Sequence, residues 1–229
     1  MSSSEPKNPL TQLGEARTFV GTKIKAIQES FWMRQVSRVL GTDWLLQIVG
    51  QVNLSQAIKT VAEVRRQLPT TATTTEIAQE LTRRKALLCG GLGLAAGLLP
   101  PGVNLAAGFA DAFVNIRFQV ELVYEIACVY GLDLHSADRK GESLFVLAAG
   151  FGAEQATTTS LQLAQRFALE KLSEAAIAQL ARLISVQIAE QIILRGIPVL
   201  GACAAAGMNA TFVTLVGNAA QRFYGQSDR

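Results

Sequence analysis

The side chains best suited to chemistry in this sequence are few and scattered. His135 is the single histidine, and Asp133 and Asp138 lie close to it in a polar stretch. A Ser-His-Asp hydrolase would have to use it, yet no G-x-S-x-G elbow exists to present a serine. His135, Asp133 and Asp138 have the right chemical types for a metal, but a solvated turn between helices has the same composition. Asp111 with Glu121 or Glu125 offers a carboxylate pair for acid–base work, which a charged helix face explains equally well. Arg117 and Glu121 have the spacing of an i,i+4 ion pair. Gly91, Gly93 and Gly97 match neither a Walker A loop nor a dinucleotide fingerprint, since the spacing is wrong and no strand precedes them. Cys89, Cys128 and Cys203 are far apart in apolar runs without a C-x-x-C pair, and read as buried free thiols of a reducing compartment. No catalytic residue, metal ligand or cofactor site follows, so the reading leans away from an enzyme.

The elements that would have to position these side chains are helical. Residues 1–14 read as a disordered tail. From about Glu15 to Leu40, Val20, Ile24, Ile27, Phe31, Trp32, Val36 and Val39 recur at helical spacing among Lys23, Lys25, Arg34 and Arg38. A second helix, capped by Asn53, runs to about Leu68, where Pro69 stops it. A threonine-rich linker follows, and Thr73-x-x-Glu76 forms a capping box for the next helix. Asn104 to Tyr130 is one long helix closed by Gly131 at the C′ position. Its expected apolar face is Phe109, Ala112, Phe113, Ile116, Val120, Val123 and Ala127. Asp111, Asn115, Arg117, Gln119, Glu121 and Glu125 are expected on a solvated arc. Further helices are expected over about Ser136–Gly152, Thr159–Lys171 and Ser173–Arg195. No alternating strand pattern of useful length occurs. The expected fold is all-α, a multi-helix bundle, with basic amphipathic helices over 15–69 and a helical domain over 70–229.

Composition narrows the function. Apolar residues make up 49% and charged residues 17%, greasier than an ordinary soluble domain. The charge is uneven: residues 1–85 carry 12 Lys and Arg against 7 Asp and Glu, whereas residues 86–229 carry 9 against 11. A basic first third suits an anionic partner, and a membrane surface is the plainest one. Nucleic acid is disfavoured, because no aromatic residues interleave with a dense basic stripe. The first fifteen residues lack the apolar core of a secretory signal.

Two runs of 25 residues, Ala86–Ala110 and Gly196–Ala220, hold no ionisable side chain except Cys89 and Cys203. Each contains a proline and then two glycines six apart, Gly102 and Gly108 in one and Gly201 and Gly207 in the other. A polar residue follows each, Asp111 and Asn209, and each half closes on Tyr-Gly. This is a weak internal duplication. A simple membrane span is disfavoured, because Pro100-Pro101 leaves Ala86–Leu99 as the unbroken helix, roughly 21 Å long at ~1.5 Å per residue, against a hydrocarbon core of ~30 Å. Gly93-x-x-x-Gly97 and Gly201-x-x-x-Ala205 instead suit close helix packing.

Several segments resemble the EcsC family of bacterial proteins: G-L-G-L-A-A-G-L-L-P (Gly91–Pro100), A-D-A-F (Ala110–Phe113), Y-G-L-D-L (Tyr130–Leu134), P-V-L-G-A (Pro198–Ala202) and G-N-A-A-Q-R-F-Y (Gly217–Tyr224). The resemblance covers about Thr75 to Tyr224 and matches nothing in the first seventy residues. It implies an α-helical domain named for a gene beside an ABC transporter linked to secretion. It is also similar to the helical domain appended to some membrane-associated small GTPases. Neither likeness supplies a catalytic residue.

The leading expectation is a non-enzymatic protein on the cytoplasmic face of a membrane, accessory to a membrane complex or to transport or secretion. Phe31, Trp32, Arg34, Arg83, Arg84 and Lys85 are its expected membrane contacts. The alternative is a soluble bundle holding a lipid or acyl chain. Asp111 and Asn209 are expected to occupy equivalent places in two long helices and to fix the register of the two halves. The opposing expectation leaves Asp111 on the solvated arc with Asn115 and Gln119.

Overall fold

The computed structural model describes residues 42–97, 104–136, 138–151 and 202–225, with eight helical residues between 177 and 188. Six helices have described bounds: α1 (Thr42–Gly50), α2 (Leu54–Gln67), α3 (Thr74–Gly97), α4 (Asn104–Val129), α5 (Arg139–Phe151) and α6 (Ala202–Gly225). Among the described residues there is no strand, and the fold is an all-α bundle. Residues 40–229 form one compact unit, which includes α1 and α2.

Local chemistry sets the helix ends. Asn53 caps α2 by accepting from the Gln56 N–H at 3.0 Å, satisfying one of the orphan donors of the first turn. The capping box of α3 is complete: the Glu76 N–H donates to Thr73 Oγ1 at 3.2 Å, and the Thr73 N–H donates to the Glu76 carboxylate at 2.7 Å. That bonding holds the Glu76 carboxyl below the usual range. α4 ends in a Schellman motif. Gly131 adopts φ +76°, the Leu132 N–H donates to the Ala127 carbonyl and the Gly131 N–H to that of Cys128. Arg65 of α2 adds a bond to the Val129 carbonyl at 3.1 Å.

Helix α4 is the axis of the unit, packed against α1, α2, α3, α5 and α6. Val120, Leu122, Val123 and Ile126 have no solvent exposure, and such burial stabilises by ~1.5–3 kcal/mol per large side chain. Ala112, Ile116, Val120, Val123 and Ala127 are buried as their spacing predicts. Half of the expected solvated arc is buried, however, although Arg117 is exposed. Asn115, Gln119 and Glu125 are only 2–3% exposed, while Phe113, expected inside, is 47% exposed. A helix with neighbours on several sides buries more than one stripe; Glu125 then meets Lys85 of α3, and Asn115 donates back to Asp111 one turn earlier.

The closest approaches are made by α6. An added Cβ on Gly150 would lie 2.8 Å from Val216 Cα, and one on Gly217 only 3.0 Å from Thr82 Cβ and nearer still to that side chain's outer atoms. Two other expectations shift or fall elsewhere. The helix expected from Ser136 begins at Arg139, and Thr159–Lys171 lies outside the described residues. Ile184 and Ile188 of the expected Ser173–Arg195 helix are buried in the common core.

Candidate functional site at the uncharged end of the bundle

Helices α3, α4 and α6 meet in a consistent register. Going along α3, Thr82 lies against Gly217 and Gln221 of α6, and Gly90 against Ala206 and Ala210, so these two helices are antiparallel. Lys85 meets Glu121 and Glu125 of α4, and farther along α3 the Cys89 carbonyl reaches the level of Asp111 through Asn209, so α3 and α4 are antiparallel as well. Asp111 beside Asn209 at one end and Tyr130 against Gly225 at the other make α4 and α6 parallel. The two uncharged runs therefore converge at one end of the bundle.

That end has a sharp polarity boundary. On the exposed side of α3, Glu76, Gln79, Arg83 and Arg84 give way to Leu87, Leu88, Leu92 and Leu94, which are 37–64% exposed. On α4, Phe113 and Val114 are exposed, and the first exposed charge is Arg117. Arg84 stands thirteen residues before Gly97, and Arg117 thirteen residues after Asn104. At ~1.5 Å per residue both helices run ~20 Å beyond these arginines, with Lys85 on α3 and Asp111 on α4 as the charged side chains in those stretches. On α6 the first charged side chain is Arg222.

One carboxylate sits inside this end, and it is cross-linked. Asp111 and Asn209 are each the eighth residue of their helix. The Asn209 amide donates to Asp111 Oδ2 at 3.1 Å, to Oδ1 at 3.3 Å and to the Cys89 carbonyl at 3.2 Å. Asn115 donates to Asp111 Oδ1 at 3.0 Å. One amide thus ties α6 to both α3 and α4, in a setting where such bonds are strong and costly to break. The Cys89 thiol beside this brace is pushed up to about 12, chiefly by burial, so it is a packed thiol and a poor nucleophile.

At the boundary, Lys85 lies between two carboxylates of α4, 3.0 Å from Glu121 and 3.1 Å from Glu125, with its ammonium 5.2 Å from the Phe118 ring centre. Burial pushes Glu125 up to about 7, with Lys85 opposing the rise. Its second oxygen, and the side-chain oxygens of Asn115 and Gln119, have no hydrogen-bond partner among the described residues. The opposite end holds another polar group: Arg139 pairs with Glu142 and stands 6.0 Å from the Tyr224 ring. Burial raises the pKa values of both Glu142 and Tyr224.

The residues singled out in the sequence are thus distributed unevenly. Asp111 and Asn209 are brought together. Arg83 and Arg84 share Glu80, each at 2.7 Å, and hold its carboxyl down at about 2. Lys85 points into the bundle toward α4. Phe31, Trp32 and Arg34 lie outside the described residues. His135 is exposed in a turn where its N–H donates to Asp133 Oδ1 at 3.0 Å, and no group of three His, Cys, Asp or Glu among the described residues could hold a metal. Arg117 and Glu121 do pair, at 3.1 Å. The Lys85–Glu125 pair escaped the sequence reading, because its partners are far apart along the chain and no local spacing reports them. Among the described residues no helix is long and apolar enough to cross a membrane.

The sequence model of the EcsC protein family matches residues 25–226. This chain belongs to the EcsC protein family. The match begins well ahead of Thr75, so the family's domain takes in α1, α2 and part of the basic N-terminal segment, which the motifs alone did not reach. Among curated proteins and among solved structures there is no match.

Proposed function

We propose that this EcsC-family protein attaches peripherally to the cytoplasmic face of a membrane through the uncharged end of its bundle, and serves there without catalysis, as an accessory to a membrane complex or transport process. The observation that carries the reading is the polarity boundary: exposed leucines over the last turns of α3 and exposed Phe113 and Val114 on α4, each ending at an arginine ~20 Å from the helix end. Exposed large apolar side chains gathered at one end of a bundle mark an interaction surface. Lipid is favoured as the partner because arginines sit where headgroups would lie, and because residues 1–85 are basic overall. The ~20 Å of helix beyond the arginines is less than the ~30 Å of a hydrocarbon core, so the tip dips into one leaflet without crossing. Hydrogen bonds from Asn209 and Asn115 within the protein lower the cost of bringing Asp111 toward lipid.

The test is co-sedimentation with anionic vesicles at low and at high salt. Electrostatic attraction between exposed charges is screened by salt, whereas leucine burial is not. Binding should be strong at low salt and weaker but present at high salt. A protein that stays in the supernatant at low salt overturns the reading.

A further inference from the structure

Between α3 and α6 runs an open cleft of about 430 Å³, lined by Gln79, Thr82, Arg83, Ala86, Leu87, Ala210, Thr214, Asn218 and Gln221, a volume within the ~300–1,000 Å³ of small-molecule sites. Its origin is the small-residue packing. Thr82 against Gly217 draws the helices together, and Ala86 and Ala210 then leave room on the outer side. The lining is graded along the helices. Gln79, Arg83, Asn218 and Gln221 stand at the end toward the charged body, and Ala86, Leu87, Ala210 and Thr214 at the end toward the uncharged tip. Arg222 stands one turn beyond Asn218 on α6 and is also exposed. The cleft therefore straddles the polarity boundary, with amides and guanidinium on one side and hydrocarbon on the other.

We infer that this cleft seats one anionic phospholipid, its phosphate against Arg83 and the amides of Gln79, Asn218 and Gln221, its chain leaving past Leu87 and Thr214 toward the tip. The inference rests on the membrane reading above and names the lipid class that the surface selects. Charge complementarity decides for an anionic head. Glu80 is shared by Arg83 and Arg84, so this group carries a net positive charge, and Arg222 adds to it. Arg83 already gives Nε and Nη2 to Glu80 at 2.7 and 2.8 Å, which leaves its Nη1 donors for the phosphate.

The experiment compares vesicles of phosphatidylcholine alone with vesicles of equal parts phosphatidylcholine and phosphatidylglycerol, using the full chain. Wild type should bind the anionic vesicles more tightly. Thr214→Trp fills the cleft without changing charge, and should lower the preference for anionic over phosphatidylcholine vesicles ~5-fold. Arg83→Gln should do the same, as expected for a ~1 kcal/mol basic contact, and far-ultraviolet circular dichroism checks that both variants are folded. If Thr214→Trp keeps the full anionic preference, the attraction is diffuse and the seat is overturned, though the membrane reading stands. If wild type binds neither vesicle, both fall together.

Discussion

Adding one methyl group at Gly217 and at Gly207, both on α6, should have opposite effects. A Cβ at Gly207 meets nothing within 4 Å, whereas at Gly217 it meets Thr82 Cβ at 3.0 Å and the hydroxyl and methyl group closer still. Thr82 cannot easily turn aside, because it is buried and its hydroxyl donates to the Ala78 carbonyl at 2.8 Å. Gly207→Ala gains helix propensity and should stabilise by ~0.5–1 kcal/mol. Gly217→Ala has the same gain set against an overpacking cost of ~1–3 kcal/mol, for a net loss of up to ~2 kcal/mol. Urea melts of both variants give the comparison. Thr82→Ala supplies the control: it removes the two nearest atoms, so it should harm the wild type yet partly rescue Gly217→Ala, a coupling read from the double-mutant cycle. Equal shifts for the two glycine variants, or a Thr82→Ala effect that ignores the background, would refute the α3–α6 contact.

Three further outcomes follow from the polar groups. Asp111→Ala and Asn209→Ala should each cost ~1–3 kcal/mol by leaving a buried partner unsatisfied, and the double variant should cost clearly less than the sum in the same melts. Burial raises the pKa of Glu125 to about 7 and also raises that of Glu142, so the folded protein holds protons that the unfolded chain has released. Stability should therefore fall as pH rises from the ordinary carboxylate range through about 7. Glu125→Gln should remove part of that slope, on the order of 1–3 kcal/mol, as melting temperatures across the range would record. Gly131→Ala places a side chain at φ +76° and should cost ~1–2 kcal/mol, and an unchanged melting temperature would contradict the Schellman geometry.

What was legible in the sequence was what neighbouring residues encode. Asn53, the Thr73–Glu76 box and Gly131 fixed helix ends from side-chain chemistry a few residues away. The spacing of Ile116, Val120, Val123 and Ala127 gave one buried side of α4. The buried state of Asn115, Gln119 and Glu125 was not legible, because a polar residue at helical spacing looks solvated until its neighbours are known. Lys85 reads locally as the third member of a basic triplet, and only the antiparallel approach of α4 turns it inward. The uncharged runs were visible as two separate stretches. Their convergence at one end depends on α4 and α6 lying parallel, which follows from packing and from no motif.

The most direct test of that end is a depth measurement on vesicles. In a background with Cys128 and Cys203 replaced by serine, a single polarity-sensitive dye is attached at Leu92→Cys on the leucine face or at Thr75→Cys on the first turn of α3. The two sites are ~26 Å apart along the helix axis at ~1.5 Å per residue. On adding anionic vesicles, the dye at position 92 should shift to the blue and brighten, while the dye at position 75 should stay as in water. An unshifted dye at position 92 on vesicle-bound protein would contradict the account, because the protein would then be held to lipid by some other surface.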